Sequence, residues 1–183
     1  MAPAEELQPR YMRANGMEFA YLELSGAAEN APLVLCLHGF PDTAWSMVGL
    51  LRELARRLNG RLAVISGRSI ADLDRILDNS VLCVLALGRD VIALIEHFGV
   101  AEAMVVGHDW GACAAYAAAG LRPDRVKRIV TAAVPHVRRF LLRPSREQVK
   151  ASHYMFKFQL PGWPEKRIRE DDFAWLRDLA RSW

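Results

Sequence analysis

Short apolar runs alternate with amphipathic stretches along most of the chain. The first two runs, residues 10–14 and 17–24, flank Asn15-Gly16, a pair that favours a two-residue hairpin turn. Leu33–Leu37 is apolar at every position, which is typical of a strand buried on both faces of a parallel sheet. The same pattern predicts three further strands, at residues 61–66, 104–106 and 128–134.

Helical periodicity fills the intervals between these strands. Residues 44–58 and 69–77 carry apolar side chains at helical spacing, and an alanine-rich stretch covers residues 112–120. A further apolar stripe, from Val91 to Phe98, ends at Gly99, a residue favoured just after a helix. Strands that alternate with helices form βαβ units. The chain therefore predicts an α/β fold with a mostly parallel sheet and helices on both faces.

The pattern changes after residue 135. From His136 to Trp183 the chain is charged and aromatic, shows no clear strand, and has a helical pattern. We therefore expect two domains, an α/β core at residues 1–135 and a smaller helical domain at residues 136–183.

Composition limits the classes of function. The chain has 183 residues, 52% of them hydrophobic, which is sufficient for a packed core. Between Leu121 and Lys150 it carries nine basic and two acidic residues. Such a cluster could face an anion or a nucleic acid, but no aromatic residues or nucleic-acid-binding motif accompany it. We interpret it as a solvated face and predict no nucleic-acid partner.

The cysteines and the N-terminus indicate a cellular location. Cys36, Cys83 and Cys113 lie in apolar stretches without CxxC spacing, which indicates buried thiols in a reducing compartment and neither disulfides nor a zinc site. Met1–Arg10 lacks the pattern of a secretory signal. The most apolar stretch, residues 103–121, contains a histidine, an aspartate and three glycines and is a poor membrane span. We therefore expect a cytoplasmic protein with no membrane partner and no metal; its oligomeric state is not predicted.

A glycine-bracketed turn with an acid at its apex lies between the strand at 104–106 and the alanine-rich helix. It reads Gly107-His108-Asp109-Trp110-Gly111. A strand, a sharp turn and a helix are the setting of a nucleophile elbow, with carboxylate in the position where esterases have serine. A carboxylate is already ionised and suits attack on saturated carbon. The alternative is that Asp109 only caps the helix, because Asp is favoured there.

A second turn cluster, His38-Gly39-Phe40-Pro41, follows the Leu33–Leu37 strand. In open α/β sheets, sites lie at the carboxyl ends of the strands, so the two motifs are expected to meet there. Together they favour a nucleophile at Asp109 over a simple helix cap.

With these motifs the chain resembles the α/β-hydrolase superfamily, specifically its epoxide hydrolase branch, with the haloalkane dehalogenases as near relatives. The resemblance covers residues 10–58 and 87–183. It implies that Asp109 attacks an epoxide carbon and forms an ester with the enzyme, without any cofactor. It also implies that the backbone amides of Phe40 and Trp110 form an oxyanion hole. The remaining motif residues would shape the site: His38, Gly39, Pro41 and His108.

The helical segment resembles the cap of epoxide hydrolases, in which a tyrosine seven residues before Pro-Gly donates a hydrogen bond to the epoxide oxygen. Tyr154 occupies that position here, before Pro161-Gly162. The alternative is an aromatic residue that only packs in a helix. Trp110 has a second interpretation too, because dehalogenases use an indole N–H beside the nucleophile to hold the departing halide. The expected substrate is a small apolar epoxide or haloalkane.

The chain departs from the family pattern in two ways. Hydrolysis of the ester needs a histidine base, which the family carries after the cap, whereas the five histidines here end at His153. We therefore expect the chain to lack the C-terminal part of the fold and to show no steady turnover. Residues 61–77 resemble part of a trehalose-phosphate phosphatase and not the usual Pro-Asp-x-Arg-Gly loop, although they could fill the same place in the sheet. A non-catalytic remnant is thus a third hypothesis.

Overall fold

A computed structural model describes residues 7–24, 32–40, 42–58, 60–68, 80–157 and 160–181. The chain forms two compact units, Met1–Arg138 and Arg139–Trp183. The first unit holds the sheet and the helices that cover it, and the second is helical.

The first unit contains the strands β1 (Arg10–Ala14), β2 (Met17–Leu24), β3 (Leu33–Leu37), β4 (Arg61–Arg68), β5 (Ala103–His108) and β6 (Val126–Ala132). These six strands form one sheet, in the order β1-β2-β4-β3-β5-β6. The first two strands form an antiparallel hairpin, β2 pairs antiparallel with β4, and the pairs β4–β3, β3–β5 and β5–β6 are parallel. The mostly parallel sheet predicted from the sequence is confirmed.

Helices cover both faces of this sheet, also as predicted. A single 3-10 turn (Ala44–Met47) leads into α1 (Val48–Arg57), which packs on one face around the fully buried Leu51. The opposite face is covered by α2 (Ser80–His97) and α3 (Trp110–Leu121). The central strand β3 is buried at all five positions because helices lie above and below it.

The hairpin turn has the conformation that its sequence predicts. Asn15 and Gly16 both have positive φ, 49° and 74°, as a two-residue turn with matching twist requires. The side-chain amide of Asn15 donates to Asp90 Oδ1 at 2.7 Å, which joins the hairpin turn to α2. Asp90 is buried, with 3% of its surface exposed.

Several predicted boundaries shift. Strand β4 extends to Arg68, β5 covers Ala103–His108, and α2 begins at Ser80, ahead of the stripe predicted from Val91. The strand expected at 128–134 occupies Val126–Ala132, because Val126 already pairs with Ala103 and the chain turns at Ala133, where φ is 68°. The helix expected at 44–58 begins as a 3-10 turn and becomes α-helical at Val48. The helix predicted at 69–77 lies outside the described residues, as does Pro41.

The second unit consists of short helices, in agreement with the helical pattern after His136. Ser145 caps the helix Arg146–Ala151, because its hydroxyl accepts a hydrogen bond from the Gln148 amide at 3.1 Å. Trp163 and Trp175 meet edge to face, with ring centroids 5.7 Å apart. The first of these helices, Val137–Leu142, begins two residues before the second unit does. The helices are α4 (Val137–Leu142), α5 (Arg146–Ala151), α6 (His153–Lys157), α7 (Trp163–Arg169) and α8 (Ala174–Arg181).

Candidate active site

The two predicted motifs meet at the carboxyl edge of the sheet. Strands β3 and β5 are parallel neighbours, and Leu37, the last residue of β3, pairs with Gly107. The loop that begins at His38 and the turn at 107–111 therefore leave the sheet side by side. This is the topological position where α/β sheets place their ligands.

Close packing explains the two glycines of the elbow. A Cβ on Gly111 would lie 2.1 Å from the carbonyl oxygen of Leu37, and a Cβ on Gly107 would lie 2.3 Å from the carbonyl oxygen of Gly111. Real Cβ atoms do not approach so closely, so α3 can cross the ends of β3 and β5 only where side chains are absent. Alanines continue this close approach along the helix, since Ala112 and Ala115 are fully buried.

Asp109 stands at the apex of the turn in a strained conformation. Its φ is 53° and its ψ is −119°, an unusual combination for a residue with a side chain. Its backbone is held on both sides: the carbonyl accepts from the Ala112 amide at 2.9 Å, and the amide donates to Ala132 at 3.3 Å. The surrounding bonds fix a conformation that a free chain would avoid. Strain of this kind is typical of functional sites.

The carboxylate of Asp109 does not cap the helix that follows it, because the side chain makes no cap hydrogen bond. Instead Oδ1 accepts a hydrogen bond from the backbone amide of Phe40 at 3.0 Å. Gly39 makes this contact possible, since a Cβ there would lie 2.3 Å from Asp109 Cβ and 2.4 Å from its Oδ1. The two motifs are thus joined at the carboxylate, with the Phe40 amide directed at one of its oxygens.

The histidines of the two motifs lie beside this contact. Nδ1 of His38 is 2.8 Å from the carbonyl oxygen of Gly39. Because a carbonyl only accepts, this nitrogen carries the proton. His108, on the last position of β5, has its Nδ1 3.8 Å from Asp42 Oδ2, and both side chains are about two-fifths exposed. Asp42 was not among the residues predicted from the sequence, although it follows the His38 turn cluster directly.

A cavity of about 380 Å³ lies beside the elbow. It begins at Phe40 and Trp110, whose side chains are 41% and 40% exposed, and continues between the sheet and α2. Polar lining comes from His38, Asp42 and Asp90. The remainder of the lining is apolar or glycine: Phe19, Leu37, Gly39, Phe40, Ile65, Leu87, Val91, Leu94, Trp110, Gly111 and Ala114. The sequence did not predict this cavity, because its walls come from three strands and two helices that are far apart in the chain.

The other predicted site residues are placed as follows. Tyr154 lies in α6 of the unit at 139–183 and is half-buried there. Trp110 is the first residue of α3, directly after Asp109. Within the described ranges no group of three metal-binding side chains occurs, and no helix is long and apolar enough to cross a membrane.

Burial also determines how readily a cysteine thiol ionises. Cys36 is fully buried in β3, and this burial raises the pKa of its thiol to about 12. Cys113 in α3 is only half-buried, so the expectation of buried cysteines is confirmed for Cys36 and too simple for Cys113. The side chain of Cys83 is outside the described residues.

Known proteins with a similar sequence or structure include several epoxide hydrolases. Residues 32–179 match the family described as alpha/beta hydrolase fold. Epoxide hydrolase 4 of Homo sapiens is 28% identical over 174 residues, and epoxide hydrolase 3 of Mus musculus is 31% identical over 170 residues. The crystal structure of epoxide hydrolase A from Mycobacterium thermoresistibile superimposes with a TM-score of 0.73 at 27% identity.

The matches cover nearly all of this chain but only part of each relative. The human and mouse proteins align with 93% and 91% of the chain, which corresponds to 47% and 45% of their own lengths. The mycobacterial structure aligns with 91% of the chain and 53% of its own. The chain thus spans about half the length of the relatives that it matches.

Proposed function

Because this chain belongs to the α/β-hydrolase family and resembles epoxide hydrolases within it, we propose that it opens epoxides with Asp109 as nucleophile. The observation that carries the proposal is the contact between the two motifs. One carboxylate oxygen of Asp109 accepts from the Phe40 amide at the carboxyl edge of the sheet. A carboxylate held in this way by a backbone N–H has a fixed orientation, which an attack on carbon requires.

The proposed reaction begins with attack by Asp109 Oδ2 on an epoxide carbon. A carbon–oxygen bond forms to the carboxylate, the ring carbon–oxygen bond breaks, and its electron pair goes to the epoxide oxygen. That oxygen takes a proton from an acid, which on the resemblance is the phenol of Tyr154. The product of this step is a single hydroxyalkyl ester of Asp109, and the acid that gave the proton is left as a phenolate.

The Phe40 amide would also act in the second step, the hydrolysis of the ester. When water attacks the ester carbonyl, negative charge develops on the oxygen that Phe40 already contacts. A preorganised backbone donor stabilises such a charge, and the Trp110 amide is the proposed second donor. The ester persists for as long as no general base activates this water.

Mass spectrometry after incubation with styrene oxide tests the nucleophile directly. We expect the intact protein to gain the mass of one epoxide, and peptide mapping to locate the addition on Asp109. The variant Asp109→Asn should gain nothing, since an amide is a poor nucleophile. Asp124→Asn is the matched control, because this carboxylate is exposed and paired with Arg122 at the amino-terminal end of β6. It should react like the unchanged chain.

A haloalkane dehalogenase is the second candidate, favoured by Trp110, which directly follows the nucleophile and lines the cavity. Incubation with a bromoalkane distinguishes the two reactions. Bromide release together with no addition from styrene oxide would replace epoxide opening by dehalogenation. A sample with the circular dichroism of a folded α/β protein that reacts with neither compound would instead favour the non-catalytic remnant.

A further inference from the structure

The end of β6 supplies one of the hydrogen bonds that hold the strained backbone of Asp109. The Asp109 amide donates to the carbonyl oxygen of Ala132 at 3.3 Å, directly after the register pair of His108 and Ala132. This carbonyl belongs to the planar peptide group between Ala132 and Ala133, so its direction depends on the backbone of both residues. The conformation of the chain at the end of β6 therefore decides whether Asp109 keeps this partner.

The chain turns at this point in a conformation that is unfavourable for its residue type. Ala133 has a φ of 68°, in the left-handed region that residues with a side chain seldom adopt. Such a conformation persists only where neighbouring groups hold it in place. Two residues with positive φ, Asp109 and Ala133, thus lie on either side of the hydrogen bond from the Asp109 amide to Ala132.

The hydroxyl of Tyr116 contacts the chain on both sides of this turn. It lies 2.7 Å from the hydroxyl oxygen of Thr131, before Ala133, and 3.4 Å from the carbonyl oxygen of Val134, after it. Because a carbonyl only accepts, the phenol donates to Val134 and accepts the hydroxyl proton of Thr131. The Tyr116 ring packs edge to face on His136, with ring centroids 5.0 Å apart. These contacts fix the phenol against the end of β6.

Tyr116 also belongs to the helix that follows Asp109. Helix α3 begins at Trp110, and its first turn closes on the elbow, since the Asp109 carbonyl accepts from the Ala112 amide at 2.9 Å. Asp109 is therefore held by α3 through its carbonyl and by β6 through its amide. The phenol of Tyr116 joins these two elements to each other at Thr131.

We propose that Tyr116 is a positioning residue for Asp109. Its hydroxyl keeps the turn at Ala133 in place, and this turn directs the Ala132 carbonyl at the Asp109 amide. The backbone held in this way orients the Asp109 carboxylate. The effect on the reaction rests on the proposed function, whereas the effect on the backbone does not.

The amide proton of Asp109, observed by NMR in the folded 183-residue chain, tests the effect on the backbone. An amide proton in a hydrogen bond resonates downfield, so a looser bond to Ala132 should move it upfield in Tyr116→Phe. This variant keeps the aromatic ring and loses only the hydroxyl. A loss of stability alone changes the amount of folded protein and not the resonance of the folded state. An unmoved Asp109 amide in Tyr116→Phe would rule out the positioning role.

Variants of Thr131 test the same hydrogen bond from the other strand. Thr131→Val loses the hydroxyl and should move the Asp109 amide in the same direction as Tyr116→Phe, whereas Thr131→Ser keeps the hydroxyl and should move it little. Tyr11→Phe is the matched control, because its phenol is 68% exposed on β1, and it should leave the amide in place. A shift in Thr131→Ser as large as in Thr131→Val would mean that packing, and not the hydroxyl, holds the turn, which contradicts the proposal.

The rate of alkylation by styrene oxide tests the effect on the reaction. The rate is followed by mass spectrometry over a range of epoxide concentrations. In Tyr116→Phe we expect the maximal rate to fall roughly three- to tenfold, as for loss of one neutral hydrogen bond. The concentration at half the maximal rate should not change, because neither Tyr116 nor Thr131 is among the residues that line the cavity. A raised half-maximal concentration with an unchanged maximal rate would indicate a role in binding and would exclude positioning.

The two measurements also distinguish this proposal from the proposed function. If the unchanged chain forms no adduct on Asp109 but its amide shifts in Tyr116→Phe, only the proposed function fails. If Asp109 is alkylated at the same maximal rate with and without the Tyr116 hydroxyl, the nucleophile stands and the positioning role is wrong.

Discussion

The backbone of Asp109 shows how single residues determine the site. Its positive φ is held by hydrogen bonds to Ala112 and Ala132, and its side chain reaches Phe40 only because Gly39 has no Cβ. Each glycine of the two motifs thus removes a specific clash. The chemistry that we propose depends on these absences as much as on the carboxylate.

Gly111→Ala tests the close crossing of α3 over β3. The new Cβ would lie 2.1 Å from a backbone carbonyl, which cannot move without distorting the strand. We expect a loss of more than about 2 kcal/mol in the free energy of unfolding, measured by urea denaturation. Gly120→Ala is the control in the same helix, because nothing lies within 4 Å of its Cβ position. It should stabilise the protein by about 0.5–1 kcal/mol. Similar losses in both variants would contradict the crossing geometry.

Cys36 should resist thiol reagents. With its pKa raised from 9.0 to about 12, the fraction of thiolate at pH 8 is about a thousandfold lower than for a free cysteine. The variant Cys83→Ser/Cys113→Ser, whose single thiol is Cys36, should react with Ellman's reagent only after addition of denaturant. In the variant Cys36→Ser/Cys83→Ser the single thiol is the half-buried Cys113, which should react faster than Cys36 in the folded state.

The same shift makes stability depend on pH. Well below pH 9 the Cys36 thiol is neutral in both the folded and the unfolded state, so its ionisation does not change the free energy of unfolding. As the pH rises from 9 toward 12, the unfolded chain ionises while the folded chain stays neutral, and the free energy of unfolding falls. Cys36→Ala should weaken this fall between pH 9 and pH 10.5. An unchanged slope would show that Cys36 does not cause it.

At the scale of elements, an ion network joins three strands. Glu23 on β2, with 1% of its side chain exposed, pairs with Arg10 on β1 at 2.6 Å and with Arg61 on β4. The Arg61 guanidinium also lies 4.8 Å from the ring centroid of Phe98, at the end of α2. One buried carboxylate therefore connects the hairpin to the parallel part of the sheet.

Arg61→Met tests this connection. The change keeps much of the apolar stem but leaves Glu23 with one partner, and we expect a loss of about 2 kcal/mol, less than for a fully buried pair because Arg61 is 38% exposed. Arg57→Met removes an exposed pair with Glu53 and should cost about 0.3–0.5 kcal/mol. Thermal denaturation compares them, and equal losses would mean that burial of Glu23 contributes nothing.

Elements also show how far local patterns predict structure. The hairpin, the buried strand at 33–37 and the helix after the elbow follow directly from period and turn residues, which act over a few positions. The boundary of β6 was wrong by two residues, because pairing with β5 and the turn at Ala133 decide it. Local propensity contains neither contribution.

At the scale of the whole molecule, β6 forms one edge of the described sheet. Apart from Val126, the residues of β6 are exposed or half-buried, and Val130 is 62% exposed. An open strand with an exposed β-branched side chain is a site for edge-to-edge association. We therefore expect Val130→Lys to reduce concentration-dependent association, measured by sedimentation velocity. Val149→Lys adds the same charge at an exposed helical position and should have a smaller effect. Equal effects would indicate that net charge, and not the strand edge, controls association.

The sequence by itself determined the order of the elements, the parallel sheet and the positions of both turn motifs. Apolar period, glycine spacing and turn residues are local properties, and they act the same way before and after folding. Asp109 was therefore identifiable as a nucleophile candidate from five neighbouring residues.

Only the tertiary structure decided what those motifs contact. The Phe40 amide meets the Asp109 carboxylate across 69 positions of the chain, and Asn15 meets Asp90 across 75. The cavity beside the elbow is likewise lined by residues from β2, β3, β4, α2 and α3. These contacts depend on strand register and helix packing, which bring distant residues together only when the whole sheet has formed.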